Sequence, residues 1–153
     1  MKKSTKLLKE FLEKIKVRGV RVRNSLGSSS ANMYDNIIYY NAKGESVEMD
    51  KIVSDIYKRK KHNIKISLTT YAFFHELGHL LSKVEIQNLD KAMDKYIDMV
   101  NIINANIKDE KLSMETYRNL RLEKLADKYA YRVYKQYENL AIKLDKKLQA
   151  LQK

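Results

Sequence analysis

The chain has 153 residues, with 31 lysines and arginines against 19 aspartates and glutamates for a net charge of +12, and it contains neither cysteine nor proline. Without cysteine, disulfide frameworks and thiolate metal sites are excluded, so any metal must be held through nitrogen and oxygen. The charge suits nucleic acid, an anionic surface or an acidic partner without choosing among them, and the length fits one domain over residues 1–153.

Leu7, Leu8, Phe11, Leu12 and Ile15 recur at helical spacing and predict an amphipathic helix over 4–16. Charges interrupt its apolar residues every two or three positions, unlike the apolar core of a signal peptide. No stretch approaches a membrane-spanning length, so the expectation is a soluble, cytoplasmic protein. Val20 and Val22 alternate with Arg21 and Arg23, and "MYDNIIYYNA" is β-branched and aromatic, which predicts strands at 18–23 and 34–41. Between them "NSLGSSSAN" reads as a loop.

A helix over 47–61 gathers Met49, Ile52, Val53, Ile56 and Tyr57 on one face. It closes on Lys58, Arg59, Lys60 and Lys61, which read as a solvated end where cations suit the helix dipole. Ile64, Ile66 and Leu68 alternate as a third short strand, and Thr69 or Thr70 is expected to cap a helix running to Lys83. A further helix over 88–106 carries Leu89, Met93, Tyr96, Ile97, Val100 and Ile103 in a stripe. From Ser113 onward the periodicity is helical for about 40 residues, or about 60 Å. A compact domain of this size is nearer 40 Å across, about its expected dimension, so that helix must bend or project. The core is expected over about 17–135, with 136–153 as a C-terminal helical extension.

Two of only three histidines lie in "FFHELGHLL", residues 73–81. Four apart on a helix, His75 and His79 project side by side and can both donate imidazole nitrogens to one ion. Glu76, about 100° round from His75, then stands beside the open coordination position, where it can take a proton from water. With His75 at 0° on a helical wheel, Phe73, Phe74, Leu77, Leu80, Leu81 and Val84 cluster between about 140° and 260°, so the histidines face away from the apolar stripe. Gly78, which costs up to about 1 kcal/mol relative to alanine, implies that another backbone passes close by, expected to be a substrate-side strand or loop.

A catalytic zinc site needs a third protein ligand. A metzincin would have histidine six residues after His79, but that position is Glu85, and Ser82 stands where a glycine would turn the chain. His62 belongs to the basic run and reads as exposed. In "RLEKLADKYA", Glu123 and Asp127 lie four apart, in or beside a packing face where an unpaired charge is expensive to desolvate. A metal ion would compensate one of them, and Asp127 would accept the second N–H of a ligand histidine. The alternative is that both pair with nearby lysines.

"HELGH" followed by E-x-x-A-D-x-Y-A resembles the gluzincin-type zinc metallopeptidases, most closely the small intracellular ImmA/IrrE family, whose second motif usually reads E-x-x-A-N-x-F-A. The likeness covers roughly residues 33–135, with "NIIYYNA" where that family has a strand before its active-site helix. It implies a small zincin-like (minigluzincin) α+β domain, mostly helical, with a short three-stranded sheet beside the HExxH helix. It also implies Zn2+ held by His75, His79 and Glu123, with Glu76 as general base and proton shuttle, Asp127 behind the ligands, and cleavage of a regulatory protein such as a helix-turn-helix repressor. Asp127 in place of asparagine is a departure shared with other gluzincins. Tyr39, Tyr40, Tyr131 and Tyr134 remain open as donors to the tetrahedral oxyanion, and residues 34–41 are expected to be a sheet edge to which an extended peptide could add. The competing expectations are a basic DNA-binding or partner-binding helical protein, although no helix-turn-helix, zinc-finger or RNP signature is visible, and an inactive gluzincin scaffold.

Overall fold

In the computed structural model, which describes residues 2–152, the chain is an α+β protein dominated by helices, with one three-stranded mixed sheet. β1 (Arg21–Asn24) runs parallel to β3 (Ile37–Tyr40), and β2 (Ser30–Asn32) pairs antiparallel with β3, giving the order β1-β3-β2. β3 is therefore the central strand, and the free edges belong to β1 and β2, contrary to the expectation for 34–41. Val22 beside Ile38 and Ala31 opposite it put the apolar side of the sheet inward, while Arg21 and Arg23 stay exposed.

The third strand also comes from an unexpected place. It forms inside the segment read as a loop, because Asn32 accepts from the main-chain N–H groups of Tyr34 and Asp35 at 3.0 Å each and Asn36 adopts a positive φ of 55°, which turns the chain into β3. Residues 64–68 form no strand. Main-chain N–H groups here go to side chains instead: Lys65 donates to Tyr134 at 2.8 Å and Ser67 to Asp145 at 3.3 Å, as Asn63 just before the segment donates to Tyr131 at 3.1 Å.

α1 (Lys3–Lys14), α2 (Val47–Arg59), α3 (Leu68–Leu81) and α4 (Leu89–Asn106) match the predicted helices to within a few residues. Ser67, rather than a threonine, caps α3 by accepting from the N–H of Thr70. Ser67 and Thr70 hydroxyls both donate to Asp145 at 2.7 Å, tying the start of α3 to the far end of the chain. The long C-terminal helix is in fact three: α5 (Glu110–Arg118), α6 (Arg121–Gln136) and α7 (Glu138–Ala150). Leu120 is extended and Tyr137 leaves helical geometry at φ −118° and ψ 33°, so the chain bends twice. α7 accordingly turns back onto α1 instead of projecting. Ala141, Leu144 and Leu148 share the core with Leu8, Phe11 and Leu12, so the two terminal helices are part of the core and not an extension to it.

At the centre of that core, Phe11, Tyr71, Phe74 and Tyr134 meet mainly edge-to-face, with ring centroids 5.4–5.8 Å apart for Phe11–Phe74, Tyr71–Tyr134 and Phe74–Tyr134. These residues fix α3 against α6. Among the described residues no helix is long and apolar enough to cross a membrane.

Candidate metal centre

Gly78 brings α3 and α6 into backbone contact. A Cβ at this position would lie 2.1 Å from the carbonyl oxygen of Ala126 and 2.9 Å from the amide nitrogen of Ala130. The close approach anticipated from Gly78 is present, but the neighbour is helix α6 and not a strand or loop. Ala126 and Ala130 are themselves fully buried, so small residues on both helices permit the contact. Because α6 covers the second face of α3, His75, Glu76 and His79 are buried despite lying off the apolar stripe, whereas Val84 of that stripe is exposed.

This approach carries Glu123 and Asp127, one turn apart on α6, to the two histidines. His75 Nε2 is 2.9 Å from Glu123 Oε1, and His79 Nε2 is 3.0 Å from Glu123 Oε2. One ligand atom from each of His75, His79 and Glu123 lies within 4.8 Å of the others, and all three residues are buried. On the far side of its ring, His75 Nδ1 meets Asp127 Oδ1 at 2.9 Å. All five residues singled out in the sequence are thus brought together.

The donor set fits a divalent metal ion. Two imidazole nitrogens converge on one carboxylate in a buried site, the nitrogen-and-oxygen arrangement zinc accepts. Burial works to raise the Glu123 carboxyl, but His79, and the hydrogen bonds of both histidines, hold it well below the usual carboxylate range, so it is an anion. Asp127 behaves alike: burial is outweighed by His75, Arg118 and Lys60, which hold it low. Burial pushes the Glu76 carboxyl up, with His75 and His79 opposing. Glu76 lies beside His75 and Glu123 in the wall of a cleft of about 260 Å³, whose other walls include Ser29, Asn41, Met49, Tyr57, Tyr117 and Arg118.

Several residues around this centre escaped the sequence reading. Tyr96 on α4 donates to Glu123 Oε2 at 2.9 Å, and its oxygen is 2.7 Å from the Tyr117 hydroxyl. Arg118 Nη1 lies 3.1 Å from both Asp127 Oδ1 and the Tyr57 hydroxyl. Lys60 Nζ reaches Asp127 Oδ2 at 2.6 Å, and Arg59 pairs with Glu115 at 3.0 Å, so the basic run is not simply a solvated helix end. Asp127 thus meets a histidine on one oxygen and a lysine on the other, whereas Glu123 pairs with histidines and not with a lysine. No spacing in the sequence announces these contacts, because α4 and α5 reach the site only through tertiary docking.

The tyrosines considered for the oxyanion are elsewhere: Tyr40 is in the core, Tyr131 stacks on His62 with centroids 4.1 Å apart, Tyr134 is occupied by Lys65, and Tyr39 lies on β3 outside the cleft. Tyr57, Tyr71 and Tyr117 line the cleft in their place. His62 is half-buried in that stack, not exposed, and is no part of the His–His–Glu group. Compared with known proteins, the chain matches no family model, no curated protein and no solved structure. Fold and site together define an α+β chain with a buried His–His–Glu group able to hold a metal ion.

Proposed function

We propose that the chain is a zinc-dependent metallopeptidase of the gluzincin type, similar to the ImmA/IrrE family, and that it cleaves a regulatory protein such as a helix-turn-helix repressor in the cytoplasm. The observation that carries this reading is the convergence of His75, His79 and Glu123 within 4.8 Å, with Glu76 in the adjoining cleft. His75, His79 and Glu123 would hold the zinc, which when bound supplies a Lewis acid for water activation and carbonyl polarisation.

The chain's own residues divide the remaining work. Asp127 accepts the Nδ1–H of His75, which fixes the tautomer whose Nε2 lone pair can ligate a metal ion. Tyr96 holds Glu123 in orientation. Glu76, its carboxyl raised by burial, takes a proton from the attacking water and returns it to the leaving amide nitrogen. β2, as a free edge whose preceding residues Ser28 and Ser29 line the cleft, offers main-chain groups to an extended peptide.

The test is metal content by mass spectrometry on protein purified without an affinity tag. About one zinc per chain is expected, lost in Glu123→Ala; Glu76→Gln should keep the metal and abolish cleavage. Equal zinc in native protein and Glu123→Ala would remove Glu123 from the site. Native protein without zinc, showing salt-sensitive nucleic-acid binding that survives a chelator, would support the basic binding protein instead. Zinc without cleavage of any co-encoded regulator would support the inactive scaffold.

A further inference from the structure

One member of the basic run leaves the surface. Lys60, the residue that ends α2, extends to Asp127 Oδ2 at 2.6 Å, with its side chain only 26% exposed and that of Asp127 2% exposed. Arg118 Nη1 occupies the other oxygen at 3.1 Å, the same oxygen that faces His75 Nδ1 at 2.9 Å. A carboxylate needed only to orient an imidazole requires one partner. This one bears a single negative charge and carries two cations besides the histidine, Arg118 largely buried and Lys60 half-buried.

The surplus has an electrostatic effect. A carboxylate already bound by two cations is a poorer acceptor for the His75 N–H, so less electron density reaches Nε2 on the opposite side of the ring. The same cations repel a divalent ion directly, and burial leaves that repulsion weakly screened. We propose that Lys60 is a positioning residue that acts through Asp127 and His75 to loosen the hold of the His75–His79–Glu123 group on a divalent cation. Arg118 shares the arrangement but also contacts Tyr57 and lines the cleft, so Lys60, half-buried at a helix end, is the position where the effect separates from folding and substrate contact.

The inference rests on the metal reading above. Its test is a Zn2+ competition titration of the full chain against a chromophoric chelator, comparing wild type, Lys60→Met and Lys60→Arg. Lys60→Met should bind Zn2+ about tenfold more tightly, the lower end of the range seen when residues behind metal ligands are changed. Lys60→Arg, which keeps the charge, should match wild type. A merely structural role gives the opposite sign, since an Asp127 less firmly held would weaken binding. Equal or weaker affinity in Lys60→Met therefore overturns the proposal. Wild type that takes up no Zn2+ overturns the metal reading itself, and this is seen before any variant is compared. Should thermal melts show Lys60→Met unfolded, Lys60→Gln enters the same titration with the same expected sign.

Discussion

The α3–α6 interface and the α4–α5 hairpin both deliver side chains to the metal centre, but different forces hold them. α3 and α6 meet backbone to backbone at Gly78, with Phe74, Leu77, Ala126 and Ala130 all fully buried around them. Of the eighteen residues of α4 only Ile103 is buried, and α5 buries none. Besides Leu89 and Met93, which pack partly buried against the core, the hairpin is attached by polar side chains: Tyr96, itself bonded to Tyr117, onto Glu123, Arg118 onto Asp127, Arg59 onto Glu115, and Tyr34 onto Asp90 at 2.8 Å. Metal ligands require positions fixed to fractions of an ångström, which close packing supplies. Segments with few buried apolar contacts open at lower free energy than the global fold. The cleft thus has one closely packed wall, bearing His75, Glu76 and Glu123, and one held by fewer buried apolar contacts, bearing Tyr117 and Arg118.

The largest effect is expected at the closely packed wall. Glu123→Ala leaves two buried histidines and Tyr96 without their common anion. Removal of one member of a buried charged cluster costs about 3–5 kcal/mol, measured here by urea unfolding of the metal-free protein. A loss under about 1 kcal/mol, the scale of a surface pair, would mean that Glu123 and the two histidines do not form a buried charged cluster.

Gly78→Ala tests the same interface by sign. In an open helix the change would stabilise by up to about 1 kcal/mol. Against the carbonyl of Ala126 it should instead destabilise by about 1–3 kcal/mol or somewhat more, the usual cost of overpacking. The variant should also bind Zn2+ less well, because the helices must separate. A raised melting temperature would remove the backbone contact from the account.

Tyr96→Phe probes the opposite wall. Loss of its hydrogen bond to the Glu123 carboxylate should cost about 1.5 kcal/mol, the lower end for a bond to a charged group, and the loss should be local. Amide hydrogen exchange should accelerate across residues 89–118 and stay unchanged in α3 and α6. Uniform acceleration would show that hairpin and interface unfold as one unit.

The closely packed wall is also the part that was legible in the sequence. His75, Glu76 and His79 lie within one helix, and Glu123 with Asp127 within another, so i, i+4 spacing exposes each group. The burial of both carboxylates made their meeting with the histidines a physical inference. Gly78 announced a close neighbour but not its identity, since a missing Cβ is silent about what fills its place. Tyr96, Tyr117, Arg118 and Lys60 could not be read, because they reach the centre from α4, α5 and the end of α2 through docking that leaves no periodicity. The misplaced third strand has a similar cause. Ile64 and Ile66 alternate with polar residues because one side of the segment is buried, yet its main-chain hydrogen bonds are made to side chains on α6 and α7, which local pattern does not encode. The bends at Leu120 and Tyr137 carry no glycine or proline, and the helical period runs through both.

The smallest effect should come from the outer face of the hairpin, where Ile97 and Ile102 are 49% and 54% exposed. Exposed apolar residues away from any packed feature usually change stability by no more than about 0.5 kcal/mol when replaced. Ile102→Ser should therefore leave both the urea midpoint and the exchange rates of residues 89–118 close to wild type, although its neighbour Ile103 is buried and its replacement would be felt. This adjacent pair separates two explanations of why the hairpin stays docked. If side-chain hydrogen bonds and the inward-facing Leu89, Met93 and Ile103 hold it, Ile102 is a bystander. If Ile102→Ser accelerates exchange as much as Tyr96→Phe, the outer face contributes to docking too, and the division between a packed wall and a hydrogen-bonded one no longer describes the molecule.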